Sequence, residues 1–146
     1  MRPQDLVFSA VTAWKEDRQG LIPGMTAVIN VLVNRSLRDG TSIYAEATKR
    51  LQFSSLTASG DPELTLWPAD SDPQWAEALT LAEQASNGVL ADITNGAIDY
   101  YAPQAIKTTA TFTLPNGTII PFPKGWNPAA VLYTVSVGSQ VYFKEV

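Results

Sequence analysis

Apolar residues recur at Leu6, Val7, Ala10, Val11 and Trp14, the three- and four-residue steps of one helical face, which predicts a first helix with a single apolar stripe against a core. Pro23-Gly24 then restarts the chain, and Met25, Val28, Ile29, Val31, Leu32 and Val33 leave almost no solvated face, so a second helix must be largely buried. Residues 41–51 place Ile43, Ala47 and Leu51 behind a Thr41 or Ser42 cap and predict a short third helix. From 52 to 70 the period is lost among Ser, Thr, Gly, Pro and Asp, which predicts a loop. Asp72-Pro73 starts a further helix, with Trp75, Leu79 and Ala82 on one face and Asn87-Gly88 as its stop.

The last third alternates instead. Residues 109–114, a Pro115-Asn116-Gly117 turn and residues 118–122 predict a hairpin, Asn-Gly being a strong turn pair. Val131, Tyr133, Val135 and Val137, then Val141 and Phe143, read as two more strands with side chains on alternate faces. Periodicity therefore predicts an α+β fold, and the 146 residues make one domain spanning 1–146, long enough to bury about two-thirds of the surface its unfolded chain exposes.

One polar residue stands out against this frame. Glu16 falls where the first helical pattern gives way to a turn, beside the apolar second helix, so its carboxyl can be partly desolvated and held protonated at neutral pH. A glutamate near a helix end is ordinarily a solvated surface group, so its place beside that buried helix is what distinguishes this one. Arg18 is expected to pair with Asp17 or a helix-end carbonyl, and the four tryptophans are expected mainly in cores, with Trp67 and Trp126 placed in loops.

Composition narrows the chemistry. With neither cysteine nor histidine, thiol nucleophiles, disulfides and histidine-based serine or zinc chemistry are excluded, and no cofactor or catalytic metal is expected. Only carboxylates and carbonyls remain for weak calcium or magnesium sites. The net charge is −4 and the cations are scattered, which argues against nucleic acid as a partner and against a membrane anchor. A neutral or zwitterionic partner fits, and glycan strands are of that kind. The longest apolar run, 25–33, is too short to cross a bilayer, and Arg2 leads into Gln4 and Asp5 rather than an apolar segment, so a cytoplasmic product without a signal peptide and a monomer are expected.

The chain also resembles a known family. Glu16-Asp17-Arg18-Gln19-Gly20, then Gly24, Ala27-Val28 and Asn34-Arg35, resembles the first motif of the spore-cortex-lytic, cell-wall-hydrolase family, approximately E-A-R-G-E followed by a glycine, an apolar helix and Asn-Arg. Gln52-Phe53-Ser54 resembles that family's phenylalanine-serine segment. Residues 92–101, Asp-Ile-Thr-Asn-Gly-Ala-Ile-Asp-Tyr-Tyr, resemble its D-P-T-G-G-A-T-H-Y-Y, and residues 137–143 its closing I-G-x-H-x-F strand. The order of the motifs is kept over nearly the whole chain. The family's second glutamate is replaced by Gly20, its histidines by Asp99 and Gln140, its proline by Ile93 and one glycine by Asn95.

The resemblance implies a lysozyme-like domain, a helical core with a small antiparallel β region, that cleaves peptidoglycan between N-acetylmuramic acid and N-acetylglucosamine. Glu16 is then the catalytic acid, Gln52, Phe53, Ser54, Tyr100 and Tyr101 meet substrate, and the absence of histidine and cysteine sets the chain apart from the zinc amidases and endopeptidases that also cut walls. Since neighbours in a strand face opposite sides, one of the two tyrosines is expected at the sugar and the other in the core. The two expected routes are hydrolysis, which needs a second carboxylate, and a lytic transglycosylase route, in which the N-acetyl group and the 6-hydroxyl of the sugar do the rest. For the second carboxylate the candidates are Asp17, Asp92 and Asp99, with Asp17 expected to point elsewhere as the helical neighbour of Glu16. A phage or prophage lysin acting on the wall fits this set. A catalytically silent glycan-binding or virion structural domain, and an enzyme on another N-acetylated polysaccharide such as chitin, are the alternatives. The hairpin at Asn116-Gly117 lies where the resemblance is weakest and reads as an insertion bordering the groove.

Overall fold

The computed structural model describes residues 1–49 and 52–146. Helix α1 (Pro3–Asp17) opens with a proline in its first turn, where the missing N–H costs nothing, and Asp5 accepts the Arg2 backbone N–H at 3.2 Å. The other Asp5 oxygen accepts the N–H of Tyr44 at 2.9 Å, so the same carboxylate ties the start of α1 to α3 (Ile43–Thr48). Ser9, Ala10, Val11, Thr12, Ala13 and Trp14 are all buried, a wider face than one stripe, because the four later helices pack around this one. The Ser9 and Thr12 hydroxyls are satisfied one turn back, on Asp5 O and Phe8 O. Val7, expected on the stripe, faces outward and is 46% exposed.

At Asp17 the backbone leaves helical geometry (φ −151°, ψ 41°), a 3₁₀ turn follows over Arg18–Gly20, and Leu21 at φ 56° reverses the chain. Helix α2 (Leu21–Asp39) thus starts two residues before Pro23, which sits harmlessly in its first turn. It is buried from Gly24 to Leu32 and again at Arg35, as its composition requires, and ends on Gly40 in the left-handed conformation. Two of its polar residues, Asn30 and Asn34, bond the 91–97 loop through Ala91 O, the Ile93 N–H and Ala97 O.

Helix α3 is capped by Ser42 and is shorter than the 41–51 pattern; Leu51 lies outside the described residues. The expected 52–70 loop contains the one-turn helix α4 (Ser54–Thr57) and a 3₁₀ turn at Pro62–Thr65 capped by Asp61. Both are too short to leave a period in the sequence. Helix α5 (Pro73–Ser86) is capped by Asp72, whose second oxygen takes the Trp14 indole N–H at 2.8 Å. No helix among the described residues is long and apolar enough to cross a membrane.

Strands β1 (Asp99–Tyr101), β4 (Val131–Val137) and β5 (Gln140–Glu145) form an antiparallel sheet in the order β1-β5-β4, with an irregularity between Tyr133 and Val135. Strands β2 (Thr111–Thr113) and β3 (Ile119–Pro121) pair separately as the predicted hairpin. The α+β class is therefore present. The hairpin is no peripheral insertion, however. Phe112 stacks on Phe122 at 5.2 Å and meets Phe143 edge-on at 5.4 Å, while Tyr101 stacks on Phe143 at 5.7 Å and donates its hydroxyl to Pro121 O at 2.8 Å. Ile120 is buried with them, and Ile119 faces solvent. The hairpin belongs to the aromatic core that holds the β side together.

Candidate active site

Glu16 occupies the last turn of α1, half-buried where α1, α4 and β1 converge. Ser55 Oγ donates to its Oε1 at 2.5 Å and the Tyr100 hydroxyl donates to its Oε2 at 3.2 Å. Burial raises the Glu16 pKa above the ordinary glutamate value of 4.5, outweighing those two hydroxyls, which favour the charged form; the negative charge of Asp61 adds to the rise. Tyr100 forms part of the floor, stacked on the fully buried Tyr142 at 5.3 Å, and burial beside Glu16 pushes its own pKa well up, so it stays a neutral hydroxyl.

Two cavities, of about 360 and 460 Å³, meet at this glutamate. Lys15, Asp17, Arg18, Asp61 and Glu63 line the first, and Arg35, Gln52, Tyr100 and Tyr101 the second. Glu16, Ser54, Ala102 and Gln140 border both, so open space continues to either side of the carboxyl. A chain-like substrate can pass across Glu16 with a bond at it.

The wall of the first cavity is held by cations that face protein rather than solvent. Lys15 is 4% exposed, and its Nζ donates to Glu63 O at 2.5 Å and Leu64 O at 3.2 Å while lying 4.5 Å from the Trp67 ring centroid. Burial lowers its pKa, partly offset by the Glu63 and Asp61 charges. Arg18 grips both oxygens of Glu63 at 2.8 Å and donates to Trp14 O at 3.2 Å. The expected helix-end carbonyl is thus met as Trp14 O, whereas its acidic partner is Glu63 rather than Asp17, and this bidentate pairing holds the Glu63 pKa below its ordinary value. In the second cavity Arg35 donates to Ile98 O and to Asp99 at 2.9 Å, lies over the Phe53 ring at 5.1 Å, and keeps one guanidinium nitrogen, Nη1, without a partner among the described residues.

The remaining sequence candidates sort by contact. Phe53 is a core plug, 1% exposed, worth about 2 kcal/mol of burial, and it borders neither cavity at Glu16. Gln52 and Ser54 are exposed on the cavity rim. The hydroxyl on Glu16 comes from Ser55, next along, because the turn of α4 aims position 55 inward. Tyr100 meets Glu16, whereas Tyr101 turns into the aromatic core, as strand alternation requires. Trp67 is 63% exposed, and Trp126 is packed edge-on against Tyr101 and Phe143.

The three possible second carboxylates separate in the opposite sense to expectation. Asp92 accepts from the Thr94 N–H and hydroxyl, the Gly96 N–H and Asn34, and borders neither cavity at Glu16. Asp99 is spent on Arg35 and borders neither. Asp17 lines the first cavity beside Glu16. Adjacent positions diverge only while the helix continues, and at Asp17 it does not.

Comparison with protein-family models, with curated proteins and with solved structures gives no match to this chain.

Proposed function

We propose that the protein is a peptidoglycan glycosidase of lysozyme-like design that cleaves the N-acetylmuramic acid β-1,4 N-acetylglucosamine bond, with Glu16 as general acid. One observation carries the reading: a desolvated carboxyl, held on both oxygens by neutral hydroxyls, at the meeting point of two open cavities. Cleavage needs a proton delivered to the glycosidic oxygen, and a carboxyl whose pKa is raised by burial keeps that proton to higher pH than an exposed glutamate does. Glu16 protonates the leaving oxygen as the C1–O bond breaks. The positive centre is stabilised by the N-acetyl group of the sugar, and its 6-hydroxyl closes on C1 while returning a proton to Glu16. That is the lytic transglycosylase route, which leaves an anhydro ring and consumes no water.

Glycan strands of the bacterial wall are the substrate on this reading, with the exposed Gln52 and Ser54 along the path. The test is lysis of purified walls by the wild type and by Glu16→Gln, which keeps shape and has no proton to give. The variant is expected to fold and to lose about 10³-fold or more in rate. Lysis by a folded Glu16→Gln at the wild-type rate removes Glu16 from the chemistry. A wild type that binds walls without cutting them supports a silent binding domain instead.

A further inference from the structure

The turn between α1 and α2 is built around one carboxylate. A Cβ added at Gly20 would lie 2.6 Å from Asp17 Oδ2, and one at Gly24 would collide with the same group and stand 3.1 Å from the Asp17 carbonyl oxygen. Gly20 has φ −75°, which any residue adopts, so a side chain there would meet the Asp17 carboxylate rather than a backbone restriction. Between them Leu21 holds φ 56°, a strained conformation for a residue with a side chain, and leaves that side chain 56% exposed. The chain thus accepts two glycines and a strained leucine to keep the Asp17 carboxylate at the cavity wall.

Its partners differ in kind from those of Glu16. Asp17 Oδ1 accepts the Gly20 N–H at 3.2 Å, and Gln140 lines the same cavity wall. A backbone N–H can only donate, and together with the dipole at the start of the long helix α2 it favours the ionised form of Asp17, against the upward push that burial gives its pKa. The Ser55 and Tyr100 hydroxyls on Glu16 can rotate and accept from a protonated carboxyl. Tyr142 is fully buried with no partner for its hydroxyl among the described residues, and burial, with the charges of Asp17 and Glu16 adding to it, pushes its pKa well up.

We propose that Asp17 is the second catalytic carboxylate, the ionised group that faces the positive charge growing on the sugar while Glu16 protonates the leaving oxygen. The proposal rests on the glycosidase reading above. Asp17 neither gains nor loses a proton in the cycle: the bonding pair leaves with the glycosidic oxygen, the proton comes from Glu16, and the Asp17 charge stabilises the electron-poor C1 until the incoming oxygen closes on it. The position also accounts for Gly20, which stands where the resembled motif carries a second glutamate. The carboxylate of Asp17 fills the space that a side chain at 20 would need.

A capping role alone predicts a different outcome. Asn caps a turn as well as Asp does, so Asp17→Asn isolates the charge. It is expected to keep the thermal midpoint and lose about 100-fold in wall cleavage, with the acid limb of the rate–pH profile abolished. The charges facing this group are Glu16 and Lys15 on α1, Arg18 in the turn, and Asp61 and Glu63 across the cavity, with the neutral Tyr142 hydroxyl on β5. None of these is altered by the substitution. Asp17→Ala/Gly20→Glu is expected to recover at least tenfold over Asp17→Ala, since the first change vacates the space the second fills. Full activity in Asp17→Asn, with Glu16→Gln inactive, overturns this proposal alone. A wild type that releases no glycan fragments overturns it together with the glycosidase reading.

Discussion

The end of α1 and the segment from Asp92 to the start of β1 each present two carboxylates, and the protein treats them in opposite ways. Asp92 and Asp99 are saturated: one accepts from backbone, hydroxyl and amide donors, the other is paired with a buried guanidinium. Burial acts to raise the Asp92 pKa, yet the Thr94, Gly96 and Asn34 donors win and hold it below the ordinary range. Glu16 and Asp17 keep open cavity in front of them, and for both the balance tips the other way, burial raising the pKa. A carboxylate whose lone pairs are all used positions backbone; one left facing space is available for chemistry. Sequence motifs alone do not separate the two, because all four residues lie in or beside the same kind of segment.

The largest expected effect that sharpens this contrast is on stability. Asp99→Ala leaves Arg35, 6% exposed at its side chain, without its charge partner and is expected to cost about 2–3 kcal/mol, below the full value for a buried pair because Asp99 is 35% exposed. Asp92→Ala removes the acceptor that closes the 92–96 turn and is expected to cost about 1–2 kcal/mol, comparable to loss of a strong cap. Denaturant midpoints measure both. Wall cleavage per folded molecule is expected to stay near wild type in each, and its loss in a folded Asp99→Ala would move that carboxylate into the chemistry and erase the distinction.

How much of this was legible in the sequence depends on how local each feature is. The order of helices and strands followed from period, caps and the Asn-Gly turn, all set within a few residues. Glu16 was legible because a helix end beside an apolar helix constrains burial without tertiary knowledge. Ser55 was not, since its reach depends on how α4 docks against α1, and its neighbour Ser54 looked equivalent. Lys15 carried no signal: a lysine on a helix is ordinarily solvated, and here backbone carbonyls of the 54–64 wall and the Trp67 face take its charge. Asp17 lines the cavity rather than pointing away from it because the backbone leaves helical geometry at that residue, an ending no local period marks. The hairpin was found but given the wrong role, because aromatic packing onto Phe143 is a contact across thirty residues that no local pattern encodes.

A smaller effect tests the same contrast through pH. The folded pKa of Glu16 lies above the unfolded value near 4.5, so its neutral form is favoured by folding: that stabilisation is complete below 4.5 and is lost as pH rises through the folded pKa. Glu16→Gln, neutral throughout, is therefore expected to be the more stable protein near neutrality, with the difference closing as pH falls below 4.5. Thermal midpoints of the two proteins across pH 3–8 measure this. Equal midpoints at every pH would mean that the Glu16 carboxyl is not desolvated.

The central claim, that the Glu16 cleft cuts glycan strands, is tested most directly by mass spectrometry of peptidoglycan incubated with the protein. The account predicts disaccharide-peptide fragments one water lighter than hydrolytic products, with muramyl ends closed as anhydro rings, and none above background from Glu16→Gln. Ordinary reducing muramyl ends would replace the transglycosylase route with hydrolysis. Fragments released equally by Glu16→Gln, or no fragments from the wild type, would contradict the account.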